Sequence, residues 1–173
     1  MDDLYKKIVE QRSGMSWLAG KLPGFRGYME NTTRRTADRM LRDHITDQFN
    51  QLLQEFINIE TKLVRAGGLS HMATTKSIKT KFQTLIDRIA TDAPGYSGFL
   101  AANKITPDDL EAIYAFDEAM IRYTEQISDG LAELNTAVVN KEGIGTALDN
   151  LDTIMLEANQ AYDLRDDVIR GIV

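Results

Sequence analysis

Apolar residues recur every three or four positions along most of this chain, the spacing of one face of an α-helix. The first such stretch is Leu4, Ile8, Met15, Leu18 and Leu22. Gly14 and Gly20 interrupt it, and glycine weakens a helix interior. We therefore predict a short amphipathic helix at the N-terminus, with Gly14 as its weak point.

The next stretch opens at Asn31, closes at the Gly67-Gly68 pair, and has no polar interruption in its apolar series. That series is Leu41, Ile45, Phe49, Leu52, Phe56, Ile59 and Leu63. It predicts a helix of about 34 residues, roughly 50 Å long at 1.5 Å per residue. A third helix is predicted from Ile78, Phe82, Leu85 and Ile89, ending before Pro94.

The fourth helix has the clearest start in the chain, at Thr106-Pro107, because threonine caps helices and proline suits the first helical position. Its apolar series contains two polar positions, Asp117 and Thr124, and its predicted end is near Gly143 to Gly145. A fifth helix follows, and Arg165 is the one polar position in its series. No stretch alternates apolar and polar residues, so we expect no sheet.

A seven-residue motif occurs twice, as Pro-Gly-Phe-Arg-Gly-Tyr-Met at 23–29 and as Pro-Gly-Tyr-Ser-Gly-Phe-Leu at 94–100. Each copy precedes a long helix, a glycine turn and a second helix, which indicates a duplicated unit. We predict an all-α fold in a single domain, a four-helix bundle of two duplicated helical hairpins plus an N-terminal helix. The boundaries are 1–20 for that helix, 21–92 for the first loop-hairpin repeat and 93–173 for the second.

These two loops, together with Arg34-Arg35-x-Ala37-Asp38-x-x-Leu41-Arg42, resemble a group of uncharacterised bacterial helical proteins. The resemblance covers most of the chain from Leu22 onward. It implies a bacterial origin and brings no residue role with it.

The chain has no cysteine, which excludes disulfide frameworks and cysteine-based metal sites. No apolar run approaches the roughly 20 residues that cross a bilayer, and the N-terminus lacks the pattern of a secretory signal. We therefore expect a cytoplasmic protein of 173 residues.

Charge is divided unevenly along the chain. Residues 1–89 carry a formal net charge of +5 and residues 90–173 a net charge of −11. One interpretation is that the halves pack against each other and their charges set the docking. The other is that the charged faces meet partners, including a second copy of this chain, which predicts oligomers that weaken with salt.

Catalytic and cofactor motifs are missing from the sequence. Ferritin-like metal sites need glutamate three residues before histidine, and Leu41 and Gly68 precede His44 and His71. There is no nucleophile elbow, no phosphate-binding Gly-x-x-x-x-Gly-Lys-Ser/Thr and no dinucleotide fingerprint. We predict no enzyme activity and no cofactor.

Asp117 is the best candidate for a polar interior site, because a carboxylate in a helix seam is costly to bury without a partner. Asp117 at this position indicates either a metal or small-ligand site, with Thr124 two turns along as an auxiliary ligand or hydrogen-bond partner, or a structural pair with an arginine or tyrosine. Acidic residues at 149–152 and 163–167 have hard-cation chemistry, but their spacing is more typical of a solvated helix face.

Cationic and aromatic residues are grouped near the N-terminal third and in the repeated loops. The candidate interaction surface comprises Trp17, Phe25, Arg26, Tyr28, Arg35, Arg39, Arg42, Tyr96 and Phe99. The loop aromatics have two interpretations, as plugs of the bundle ends or as an exposed patch for a partner. A sequence pI near 5.0 disfavours nucleic acid, whereas the region around Trp17 suits weak peripheral contact with an anionic membrane.

From these patterns the expected function is a non-enzymatic interaction or scaffold protein that binds a protein partner or itself. The alternative is a regulatory bundle that binds a metal or small ligand at Asp117.

Overall fold

The computed structural model describes residues 2–11, 13, 17, 20–21, 34–91 and 107–170. Over these residues the chain forms five α-helices and no strand. They are α1 (Asp2–Glu10), α2 (Arg34–Arg65), α3 (Met72–Thr91), α4 (Pro107–Asn140) and α5 (Ile144–Arg170), with a 3-10 turn at Leu69–His71 before α3. The predicted all-α class is confirmed. The repeated loops lie outside the described residues.

Helix starts and ends follow the predicted punctuation with one exception. α4 begins at Pro107 as predicted, and α2 stops shortly before Gly67, whose φ is +89°. The amide of Gly68 donates to the carbonyl of Leu63 at 3.0 Å, a bond that closes the helix end. The predicted end of α4 was wrong, because α4 stops at Asn140 and Lys141 takes the left-handed conformation, with φ +59°.

The four long helices pack around one core. α2 packs against α3 and α4, and α5 packs against α3 and α4. We call α2 with α3 the first hairpin and α4 with α5 the second hairpin. α1 packs on the outside of the second hairpin, against α4 and α5. The turn before α3 and the turn before α5 lie at one end of the molecule, since Gly145 adjoins the side chain of His71. We call this end the hairpin end.

Buried positions of the two hairpins match at constant offsets along the chain, which we call the hairpin register. Those of α2 correspond to those of α4 as Leu41/Phe116, Ile45/Met120, Leu52/Ile127, Phe56/Leu131, Ile59/Leu134 and Leu63/Val138. Those of α3 correspond to those of α5, at a slightly shorter offset, as Ile78/Leu151, Phe82/Met155, Leu85/Ala158 and Ile89/Tyr162. The predicted three-four series thus form the shared core.

Candidate interaction surfaces

Asp117 lies in the interior beside an arginine. Its Oδ1 accepts a hydrogen bond from Arg165 Nε at 2.8 Å, and the two side chains are 3% and 2% exposed. Arg165 also lies over the ring of Tyr162, 5.6 Å from its centroid. Asp117 and Arg165 are polar positions in the apolar series of α4 and α5. The structure places these two polar positions side by side. The arrangement matches the structural alternative of an aspartate–arginine pair.

Metal-ligating side chains do not gather around this pair. Across the described ranges, no group of three or more histidine, aspartate or glutamate residues is placed to hold a metal ion. Thr124, the proposed auxiliary ligand, donates its hydroxyl to the carbonyl of Ile121 in its own helix at 2.7 Å.

The basic residues of α2 are divided between surface and interior. Arg39 is exposed, and its Nε lies 3.9 Å from Oδ2 of Asp43. Arg42, predicted at the exposed surface, is instead only 6% exposed. It precedes Phe49 by two helical turns and so continues the buried column of Phe49 and Phe56. The side chain of Arg35 is outside the described residues, as are Phe25, Arg26, Tyr28, Tyr96 and Phe99.

Trp17 is half-buried against the core and engaged with α4. Two cations lie over its ring, with Lys21 Nζ 5.2 Å and Arg122 Cζ 5.4 Å from the ring centroid. Lys21 also pairs with Glu125. Cation–π contacts of this kind are worth about 0.5–1 kcal/mol at exposed sites. The Trp17 region therefore attaches the N-terminal part of the chain to α4.

We call the described residues between Asp2 and Lys21 the N-terminal segment. Polar bonds fix it along one side of α4. Both carboxylate oxygens of Glu118 accept a hydrogen bond from the backbone amide of Ser13, at 2.8 and 2.9 Å. Arg122 donates to the carbonyl of Gln11 at 2.7 Å and also contacts Glu118. Glu118 is 2% exposed, so this carboxylate is buried with charged and backbone partners.

A small cavity lies under the N-terminal segment. It measures about 30 Å³ and is lined by residues of α1 and α4 that include Lys7, Glu118, Arg122 and Tyr123. That volume accommodates about two water molecules. Burial raises the pKa of Tyr123, and the nearby Glu157 carboxylate raises it further. The phenol therefore stays protonated at neutral pH, and the cavity suits hydration better than a larger ligand.

Opposite charges of the two halves form ion pairs between α3 and α5. Lys81 of α3 pairs with Asp152 of α5 at 2.5 Å. Arg88 of α3 pairs with Asp163 at 2.7 Å and with Asp166 at 3.1 Å, both on α5. These contacts favour the interpretation in which the charge division helps dock the halves. They also give partners to members of both acidic groups that had been considered for cations.

Apolar side chains are exposed at the hairpin end, a feature that the sequence analysis missed. The exposed large hydrophobic residues of the described ranges are Val64, Leu69, Val139 and Leu156, at 38, 66, 68 and 45%. The first three lie in the last turn of α2, the 3-10 turn and the last turn of α4. The hairpin register relates Val64 to Val139 and could have indicated this pairing.

The two turns of the hairpin end are neighbours. A Cβ atom placed on Gly145 would lie 3.9 Å from Cε1 of His71. The His71 side chain is half-buried. The end of α4 and the start of α5 line an open groove of about 690 Å³. Its lining combines small residues such as Ala137 and Ala147 with polar residues such as Glu133 and Asn150. The hairpin end therefore combines exposed apolar side chains with a concave surface.

No described helix is both long enough and apolar enough to cross a membrane. A scan against protein-family models, a search of curated proteins and a search of solved structures each found no match to this chain.

Proposed function

We propose that this chain is a non-enzymatic interaction or scaffold protein of the cytoplasm that self-associates through its hairpin end. The observation that supports this most directly is that three exposed apolar residues, Val64, Leu69 and Val139, lie at the same end of the molecule. Single exposed apolar residues are common on proteins, whereas grouped ones mark interaction sites.

The proposed architecture is a four-helix bundle of two duplicated hairpins. Its support is the hairpin register, in which the buried positions of α2 match those of α4 and the buried positions of α3 match those of α5. The register relates Val64 in the last turn of α2 to Val139 in the last turn of α4. A twofold dimer uses the same patch of both subunits, so a hairpin end with exposed apolar residues from both hairpins suits contact with the same surface of a second copy.

The internal ion pairs change the expected response to salt. Lys81 and Arg88 already have carboxylate partners within the chain. Association through apolar side chains is driven by the hydrophobic effect, which moderate salt does not screen. We therefore expect oligomers that persist at moderate ionic strength, whereas oligomers built on the charged faces would weaken.

Native mass spectrometry and sedimentation velocity over a concentration series up to tens of micromolar test this proposal. Wild-type chain is expected to form dimers, and Val139→Asp is expected to abolish them. Leu156→Asp is the matched control, because it adds the same charge at an exposed leucine of α5 away from the turns. A monomeric wild type, or equal behaviour of the two variants, would contradict the proposal.

The alternative of an interior metal or ligand site has weaker support, because Arg165 already provides Asp117 with a cationic partner. The same native spectra test this alternative as well. A subunit that carries unexplained extra mass, lost in Asp117→Leu, would favour it over the scaffold proposal.

A further inference from the structure

The N-terminal segment is joined in sequence to the first hairpin but makes its contacts with the second. Ile8 is 6% exposed, and the ring of Tyr5 packs 5.8 Å from that of Phe116 in α4. Lys7 lies 3.7 Å from Glu157 in α5. Residues 22–33 join this segment to α2 in the sequence.

The face on α4 holds this segment by its backbone. Glu118 directs both oxygens to one backbone amide, that of Ser13, and Arg122 donates to the carbonyl of Gln11. Backbone groups at fixed positions thus complement charged side chains at fixed positions. Any second copy of the chain presents the same segment and the same face.

Two physical properties make the segment exchangeable. α1 has nine residues, fewer than the roughly 12–15 that an isolated helix needs, so its helical form depends on docking. Twelve residues separate Lys21 from α2, and twelve extended residues reach up to about 40 Å. The connection is therefore long enough to deliver the segment to the face of a neighbouring molecule.

We propose that the α4–α5 face beneath the N-terminal segment also binds the N-terminal segment of a second copy, so that two chains exchange these segments. Exchange of an identical element replaces each internal contact by the same contact between chains. It extends the proposed self-association to a second site. Glu118 and Val139 lie about 32 Å apart along α4 at the helical rise of about 1.5 Å per residue, so the two contacts are separate.

A labelled peptide of residues 1–21 tests the proposal by fluorescence anisotropy on the full chain. In the wild type the chain's own segment competes at an effective concentration of about a millimolar. Ile8→Asp in the chain weakens that competitor and leaves the α4–α5 face intact. We expect the wild-type peptide to bind the Ile8→Asp chain at least about tenfold more tightly than the wild-type chain.

Two controls sharpen this experiment. Ser13→Pro in the chain removes the N–H that donates a hydrogen bond to Glu118, and it adds no charge. Like Ile8→Asp, it should make the wild-type peptide bind the chain more tightly. A peptide that itself carries Ile8→Asp should not bind. The proposal is overturned if the peptide binds neither variant while their circular dichroism is that of the wild type, or if a scrambled peptide binds equally well.

Exchange between full chains is tested with introduced cysteines, because the chain has none of its own. One chain carries Lys7→Cys and the other Glu157→Cys, and a short bis-maleimide is added after mixing. Exchange predicts more cross-linked dimer in the mixture than in either chain alone, and equal yields would overturn it. The peptide assay needs no dimer, so failure of the hairpin-end contact leaves its result readable.

Discussion

The two hairpins have matching cores but different outer faces. Glu118 of α4 and Asp43 of α2 occupy the same position in the hairpin register. The side chain of Glu118 is 2% exposed and that of Asp43 is 72% exposed. The difference arises because the N-terminal segment covers α4 and leaves this part of α2 open. Apolar spacing thus places the core, and coverage from outside decides which polar residues become buried.

The same register also relates buried charges of opposite sign. Arg42 of α2 matches Asp117 of α4, and both are buried. Arg165, the partner of Asp117, matches Asp92 in the sequence, a residue outside the described ranges. At these two matched positions the first hairpin has arginine where the second has aspartate, and aspartate where the second has arginine. Substituting these charged residues should change stability most where the charge is buried and paired.

Asp117→Leu is expected to have the largest effect. It leaves Arg165 in the interior without this carboxylate, and breaking a buried pair in this way costs about 3–5 kcal/mol. The double variant Asp117→Leu/Arg165→Met removes both charges and should recover most of that loss. Urea denaturation of the three proteins measures the free energies of unfolding. A single variant as stable as wild type would show that the pair does not stabilise the fold.

Glu118→Gln should have an intermediate effect and compares the hairpins directly. It weakens charged hydrogen bonds to Ser13 and Arg122, and bonds of this kind contribute about 1.5–3 kcal/mol each. Asp43→Asn at the matching exposed position is the control and should change stability by no more than about 0.5 kcal/mol. Equal effects in thermal denaturation would mean that the N-terminal segment does not distinguish the two hairpins.

The smallest predicted effects concern the helix ends. Gly67 and Lys141 both have positive φ, +89° and +59°, and each lies just after its helix, α2 or α4. The left-handed conformation costs a residue with a side chain about 1 kcal/mol. Lys141→Gly should therefore stabilise the protein by about 1 kcal/mol and Gly67→Ala should destabilise it by a similar amount. Differential scanning calorimetry measures whether each variant is more or less stable than the wild type. If both variants changed stability in the same direction, the predicted cost of the left-handed conformation would be contradicted.

Local pattern predicted much of the fold. The three-four series of α2 to α5 became the core, and Thr106-Pro107 located the start of α4. The end of α4 was missed because a lysine, Lys141, takes the left-handed conformation that a glycine, Gly67, takes after α2. Gly143, which also has positive φ, suggested a later end.

The candidate sites were only partly predictable. Asp117 stood out in the sequence because it interrupts an apolar series. Its partner Arg165 could not be identified without knowing how α4 and α5 align against each other. Arg42 was assigned to the surface from its spacing with Arg39, although it also continues a buried column. Exposed Val64 and Val139 follow seam residues directly, and a linear pattern does not distinguish such neighbours from core.

The sequence by itself determined helix content, approximate helix lengths and the apolar faces, because these depend on the spacing of neighbours along the chain. Only the tertiary structure decided which helices meet, which opposite charges pair, that Arg42 is buried, and that the N-terminal segment covers the second hairpin. Those outcomes depend on contacts between residues many tens of positions apart. Their geometry is set by helix packing, which no local spacing specifies.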